Sequence, residues 1–399
     1  MSAELYRPCP LCENLASEVL TSIDLPQPSA SPLPAGYQLM ICGKCDFAYA
    51  DTCATQQDYD QYYREQAKYG GPTGTGAGLD APDRNRLESL ADRLQGWLPG
   101  RSATILDIGC GAGGLLQVIV SRGYRNAEGL EPDPAAVAAA TRLGLQVRPG
   151  LVSDAATVHA GRHFDLIVMS HVVEHLRDLS WLNTLPNLLA PNGVLYVEVP
   201  DARGYRCGER PPFYYFDSEH INHFGPRALA RLFAKTGLQA HALVDVSLQL
   251  GDGTAYPAIA GVAGAGSADL PTPPAAAAKR LRAYIAESRR LGAASARIHP
   301  PLGPAPVLVW GAGSWAQRLL GQGALPLHQV SAFLDNALNK QGQTFAGKPI
   351  LSPATGLARH PNAQVLICIA VDPHQIEAQI QHIAPGQSRT LHFFNIDTA

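Results

Sequence analysis

Ile105-Leu106-Asp107-Ile108-Gly109-Cys110-Gly111-Ala112-Gly113-Gly114 runs an apolar strand straight into a turn that only glycines make so tightly. A helix over 115–122 follows, and outward from it the same alternation repeats: AEGLEP (127–132), AAVAAATRLG (135–144), FDLIVMS (164–170) and GVLYVEVP (193–200). Apolar strands alternating with helical stretches signal βαβ units, hence a parallel sheet with helices on both faces. This block runs from 56 to 265. The pattern restarts at APVLVWGAGSWAQRLLG (305–321) and continues through VSAFLDN (330–336) to AQVLICIAV (363–371), giving a second, smaller α/β domain over 304–399. Between the two lies 266–303, a Gly/Pro/Ala linker that carries one helix and closes on Pro300-Pro301.

In the first glycine turn the missing side chains let a ligand lie against the backbone, and the following helix N-terminus offers free amides. Glu131, about 24 residues beyond Asp107, ends the next strand, where a carboxylate can accept both hydroxyls of a ribose. A bare G-x-G-x-G also fits a dinucleotide, but Asp107 sits where an anion repels a pyrophosphate and can satisfy an amino-acid ammonium. That favours S-adenosylmethionine over NAD. Asp154 follows the third strand, where an acid either meets the adenine amino group or is a solvated loop residue.

With 399 residues, 46% apolar and 16% charged, the chain exceeds what one core usually serves, so several folded domains are expected. A net charge of -3, from 31 basic and 34 acidic residues, gives no sequence-wide pull toward nucleic acid or an anionic membrane. The opening MSAELYRPCPLCENL has neither a basic start nor an apolar signal core, and the expected location is the cytoplasm. Of 8 cysteines, four form two tight pairs within 1–55, Cys9/Cys12 and Cys42/Cys45. Paired thiols two residues apart in a reducing compartment read as a structural zinc ribbon, with no open position for chemistry.

LDIGCGAGGLL (106–116), GLEPDP (129–134), FDLIVMSHVVEHL (164–176) and PNGVLYVEVPD (191–201) resemble the successive motifs of class I S-adenosylmethionine-dependent methyltransferases over roughly 84–245. The resemblance implies that Asp107, Gly109, Gly111, Gly113 and Glu131 carry the cofactor and that Ser170 and His171 sit beside its methionine portion. A cysteine-paired ribbon before such a core and a second α/β domain after it further resembles the three-domain sugar C-methyltransferases of antibiotic deoxysugar pathways. That resemblance implies a fold of zinc ribbon, class I methyltransferase domain and smaller Rossmann-like domain, and a nucleotide-linked sugar as the small-molecule partner. It also draws attention to Gly311, Gly313 and Asp335, whose bland alternative is helix-on-strand packing without a ligand.

Methyl transfer needs an aligned nucleophile relieved of its proton. The richest base-bearing stretch is PFYYFDSEHINHF (212–224), with Tyr214, Glu219, His220 and His223 as catalytic candidates; His220 is the expected base and Glu219 orients its neighbourhood. The sugar family has a Tyr-His-Glu-His run here. This chain has Asp217-Ser218-Glu219-His220, matching only the second half, so carbon methylation through an enolate and oxygen methylation of a hydroxyl both stay open. Glu174-His175 reads as structural or cofactor-side. Tyr59, Tyr62, Tyr63 and Tyr69, with Arg64 and Lys68, lie on an expected helix that either closes over the cleft or fills the ribbon–core interface. A nicotinamide dehydrogenase using the second glycine turn and a ribbon that grips nucleic acid are the competing classes; neither nucleic acid nor a membrane is expected as a partner.

Overall fold

The computed structural model describes residues 5–65, 77–78, 81–208, 211–250, 254–266, 273–274, 276–295, 297–369, 373–386 and 389–395. The chain opens with β1 (Ser17–Asp24), β2 (Gly36–Cys42) and β3 (Ala48–Asp51), an antiparallel meander, then α1 (Gln56–Glu65) and α2 (Ala81–Gln95). The βαβ block follows as β4 (Thr104–Ile108), α3 (Gly114–Ser121), β5 (Asn126–Glu131), α4 (Pro134–Arg142), β6 (Gln146–Pro149), the single turn α5 (Ala155–Val158), β7 (Phe164–Ser170) and β8 (Leu189–Pro200). Next come β9 (Asn222–His223), α6 (Pro226–Lys235), β10 (Gln239–Gln249) and β11 (Ala255–Gly264).

The central sheet has the order β10-β11-β8-β7-β4-β5-β6, parallel from β8 to β6, with β11 running antiparallel to both its neighbours. Buried on both faces, β4 and β7 are apolar except at Thr104, Asp107, Asp165 and Ser170, as parallel strands must be. Strand order reverses between β4 and β7, which opens a crevice at their C-terminal ends.

Two features depart from the expected division of the chain. First, β9 pairs with β3, Ala48 opposite His223 and Tyr49 opposite Asn222, so the sheet of the cysteine segment takes its fourth strand from 170 residues downstream. Its side chains also enter the two cores of the central sheet: Cys9, Cys42, Cys45 and Phe47 pack with Phe224, Phe233 and Ile167, while Leu39 and Tyr59 join Tyr205, Tyr215 and Phe216. Residues 1–55 are therefore not a self-contained unit. Burial of large aromatics such as Tyr49 and Phe47, each worth roughly 1.5–3 kcal/mol, welds the segment to the core.

Second, the helix expected inside a linker, α7 (Ala277–Ser295), packs Leu281, Tyr284 and Ile285 into that same aromatic core, and the last sheet begins earlier than expected, at β12 (Arg297–His299). The remaining elements are β13 (Val307–Trp310), α8 (Ser314–Gly321), β14 (Val330–Leu334), β15 (Thr344–Phe345), β16 (Lys348–Leu351), α9 (Pro353–Arg359), β17 (Gln364–Ile367), α10 (Pro373–Ile383) and β18 (Leu391–Asn395). They form a sheet of order β12-β18-β17-β13-β14-β16-β15, parallel from β18 to β16. Its two faces carry separate apolar clusters, one around Phe333 and Phe345 and one around Trp310 and Ile376. Among the described residues no helix is long and apolar enough to cross a membrane.

Candidate active site and four-cysteine cluster

After β4 the chain turns through Gly109, Gly111 and Gly113 at φ of 75°, 53° and 84°, the left-handed region open to glycine at little cost. The turn is tied to β5 because Gly109 N–H donates to Leu130 O at 2.7 Å and Gly111 N–H donates to Glu131 Oε2 at 2.8 Å. Their remaining freedoms differ. A Cβ on Gly109 would meet Val172 at 2.6 Å, and one on Gly113 would meet Leu145 at 2.5 Å, whereas one on Gly111 would meet nothing within 4 Å. Gly111 thus presents bare backbone to open space, and Gly113 serves the packing of α3 and is not among the described residues that line the cavity.

That cavity has a volume of about 640 Å³. It begins at Asp107, Gly109, Gly111 and Glu131, passes Ser170, His171 and His175, reaches Tyr214 and His220, and ends at Gly313, Ser314 and Trp315 of the last unit. Asp107 is buried; removal from water, then the neighbouring Glu131 charge, push its carboxyl up to about 8 despite Arg86. Burial also raises Glu131, against the backbone N–H groups of Asp133 and Gly111. Two buried acids at a backbone cradle suit a ligand that brings an ammonium and a diol. The residues present fit S-adenosylmethionine.

Asp154 departs from its expected place. Its carboxylate caps the short turn before α5, accepting from Leu151 N–H at 2.9 Å, and it is Leu151 and Val152 that line the cavity. A free loop amide beside the acid is the nearer partner, and it ties the side chain down.

At the end of β7, Ser170 Oγ donates to Glu198 Oε1 at 3.3 Å, and His171 follows at a φ of 56°. His171 Nδ1 lies 3.1 Å from Glu174 Oε1 and its Nε2 lies 3.6 Å from Glu198 Oε1. Burial opposes the charge on His171, but the two carboxylates outweigh it and hold the imidazole up to about 9. Glu198 is fully buried, which penalises its charge, yet His171, Arg93 at 2.6 Å and Tyr196 at 2.7 Å bring it down to about 2. Glu174 reads in the sequence as structural or cofactor-side, whereas Glu198 and Arg93 are not singled out there. A glutamate inside the apolar strand GVLYVEVP is the signal that was there to find.

The stretch 212–224 is brought together only in part. Tyr214 and His220 line the cavity. Glu219 is buried behind them, accepting from Tyr62 Oη at 2.8 Å, while its carbonyl lies 3.1 Å from His175 Nδ1. The rings of His175 and His220 stand 4.9 Å apart, and Glu174, His175 and His220 each bring one polar atom within 4.8 Å of the others. His223 corrects the expectation of a catalytic role. It sits in β9 against Tyr205 and Phe216 and does not line the cavity, and burial followed by the His220 charge holds it neutral, pushed down to about 3. On α1, Tyr59 fills the interface and Tyr63 lines the cavity edge-on to His175 at 5.6 Å; Lys68 and Tyr69 lie outside the described residues.

The second glycine turn repeats the first. Gly311 N–H donates to Leu334 O at 2.7 Å and Ala312 N–H donates to Asp335 Oδ2 at 3.0 Å. Here Lys340 Nζ already pairs with Asp335 at 3.0 Å, whereas among the described residues no ion pair reaches Glu131.

The cysteines converge. Cys9 and Cys45 bring their sulfurs to 3.6 Å, Cys12 and Cys42 to 3.5 Å, and all four lie within 4.8 Å of one another. A tetrahedron with metal–sulfur bonds of about 2.3 Å has an edge of about 3.8 Å. Asn14 Nδ2 and the Lys44 amide donate to Cys42 Sγ at 3.6 and 3.4 Å, support that suits a thiolate. The four-sulfur arrangement fits zinc.

Residues 82–243 match the family model described as a methyltransferase domain. Curated relatives include the ubiquinone biosynthesis O-methyltransferase of Rhizobium rhizogenes, 28% identical over 161 residues that cover 37% of this chain and 64% of that protein. The protein of the same name from Methylobacterium sp. is 36% identical over 106 residues, 25% of this chain and 41% of its own. The chain thus spans less than two thirds of the length of these relatives. A solved S-adenosylmethionine-dependent methyltransferase from Archaeoglobus fulgidus superposes at a TM-score of 0.36 and 14% identity, covering 45% of this chain and 93% of its own. The matched span holds the glycine turn and the parallel strands of the central sheet, so this part of the chain is similar to a methyltransferase domain.

Proposed function

We propose that the protein transfers a methyl group from S-adenosylmethionine to a small acceptor, a nucleotide-linked keto-deoxysugar methylated on carbon. The observation that carries this reading is the continuity of one cavity from the acids at the first glycine turn, past His220, to the second glycine turn. S-adenosylmethionine supplies an electrophilic methyl group on a sulfonium. Asp107 would hold its ammonium and Glu131 its ribose, and the bare backbone at Gly111 would leave room for the nucleoside. Ser170 and the cationic His171, held by Glu174 and Glu198, border the amino-acid end.

His220 takes the proton beside the acceptor's keto group. The resulting enolate carbon bonds to the methyl as the carbon–sulfur bond breaks and its electron pair returns to sulfur. Tyr214 borders the acceptor, and Glu219 stands behind the base, held by Tyr62. The four cysteines would hold a structural zinc ion, and none of them lines the cavity. The amide groups opening α8 at Ser314 would meet the anionic diphosphate of a nucleotide sugar, which stays attached to the sugar throughout.

Two observations favour a second reading, oxygen methylation. The matched relatives carry that activity in their names, and Asp217-Ser218 departs from the sugar family's motif. The same base then deprotonates a hydroxyl.

Incubation with labelled S-adenosylmethionine and a panel of keto and hydroxy nucleotide sugars separates the two, with NMR locating the new methyl. A carbon-bound methyl is expected; an oxygen-bound one decides for the second reading, and no product overturns the acceptor class. His220→Ala is expected to slow turnover by roughly 100-fold or more, the scale of a general base, with unchanged cofactor affinity by calorimetry.

A further inference from the structure

The segment that carries His220 leaves the central domain after β8, yet side chains from the other units hold it. Arg318, on α8 of the last unit, is 6% exposed and spends its guanidinium on this one segment. Its Nε donates to the carbonyls of Phe213 and Phe216, both at 3.2 Å, and its Nη2 donates to Tyr214 O at 2.6 Å. The charge stands 5.6 Å from the Tyr214 ring and 3.9 Å from Asp217 Oδ2. Asp217 Oδ1 in turn accepts from the backbone N–H of Glu219 at 2.9 Å and of His220 at 2.8 Å. A chain of contacts therefore leads from a buried cation of one unit to the backbone of the base in another.

We propose that Arg318 is a positioning residue for methyl transfer: by gathering three carbonyls and facing Asp217, the last unit fixes the backbone of His220 against the cavity. The proposal rests on the reading of His220 as the base. The fork geometry matters here, because three carbonyls in one turn need several donors held in a plane, which a lysine ammonium does not offer. An unpaired guanidinium at this depth is costly, so the contacts are also self-enforcing: Arg318 has its partners only when the segment is in place. The role expected for the last unit was substrate binding or scaffold; Arg318 gives it a third, control of the geometry of the base.

The test uses the full chain with Arg318→Lys and Arg318→Gln. Amide hydrogen exchange, read by mass spectrometry over 213–220, is expected to quicken by about 10-fold or more in Arg318→Gln and less in Arg318→Lys, with S-adenosylmethionine affinity within about twofold of the parent. With an acceptor from the panel, kcat is expected to fall about 10- to 100-fold while KM moves little, because misplacement of a base acts on the chemical step. Exchange over 213–220 unchanged in both variants overturns the proposal, as does a loss of acceptor binding with kcat preserved. Should Arg318→Gln fail to fold, Arg318→Lys carries the same readouts. If the parent methylates nothing in the panel, or if His220→Ala leaves turnover unchanged, the functional reading falls, while exchange still decides whether Arg318 holds the segment.

Discussion

Asp107 and His171 are opposite cases of buried charge. Asp107, raised to about 8, is protonated at pH 7 without a ligand. A cation arriving beside it stabilises the carboxylate, so S-adenosylmethionine binding at pH 7 is expected to release up to about one proton, visible as calorimetric heats that vary with the buffer's ionisation enthalpy. Asp107→Asn should abolish that release and weaken binding severely; buffer-independent heats in the parent would remove Asp107 from the site. His171 is raised instead, to about 9, so its contribution to stability is complete below pH 6.5 and is lost as pH rises through 9. In an Asp107→Asn background, which removes that acid's own fall in stability up to about pH 8, urea unfolding should show stability falling by roughly 1–3 kcal/mol between pH 6.5 and 9.5. In His171→Gln that slope should flatten, with an overall loss of about 3–5 kcal/mol because Glu174 and Glu198 both lose the His171 cation, Glu198 keeping only Arg93.

At the scale of elements, legibility followed the length of the signal. The strand-turn-helix at 105–122 was readable because a two-sided apolar strand and three glycines with positive φ state one geometry together. β9 was not: two residues, Asn222 and His223, carry no periodicity, and only their pairing with β3 makes them a strand. That pairing buries His223 among Tyr205 and Phe216, the packing role that a histidine at this position could equally fill. The cysteine pairs were readable from spacing, but not the dependence of their sheet on a distant strand. A consequence can be measured: Cys42→Ser, or treatment with a strong metal chelator, is expected to loosen β2 and β3 and, through β9, to quicken amide exchange around 220–223. The checks are metal content by elemental analysis and exchange over that peptide; exchange confined to 1–55 would show that the sheet does not transmit the loss.

For the whole molecule, the closest tie between first and last units is a short backbone seam. Ser29 N–H donates to Thr344 O at 2.8 Å, Pro28 bridges Phe345, and Gln317 Nε2 donates to Gln27 Oε1 at 2.9 Å. The seam limits how far the last unit, which brings Gly313, Ser314 and Trp315 to the cavity, can move from the rest of the molecule, so locking it tests whether acceptor entry needs that movement. With Ser29→Cys and Thr344→Cys paired under oxidising conditions, turnover is expected to drop at least about 10-fold and to recover on reduction. S-adenosylmethionine affinity, set on the far side of the cavity, should not change. The partnership of β3 with β9 also bears on how the chain is made. On the ribosome, Ala48–Asp51 emerge well before Asn222–His223 exist, so for most of translation the meander shows an unprotected flank. Early arrest of synthesis, or excision of the first 55 residues as a fragment, would leave a sticky border that invites pairing with a neighbour, and such a fragment should associate more strongly than the intact chain.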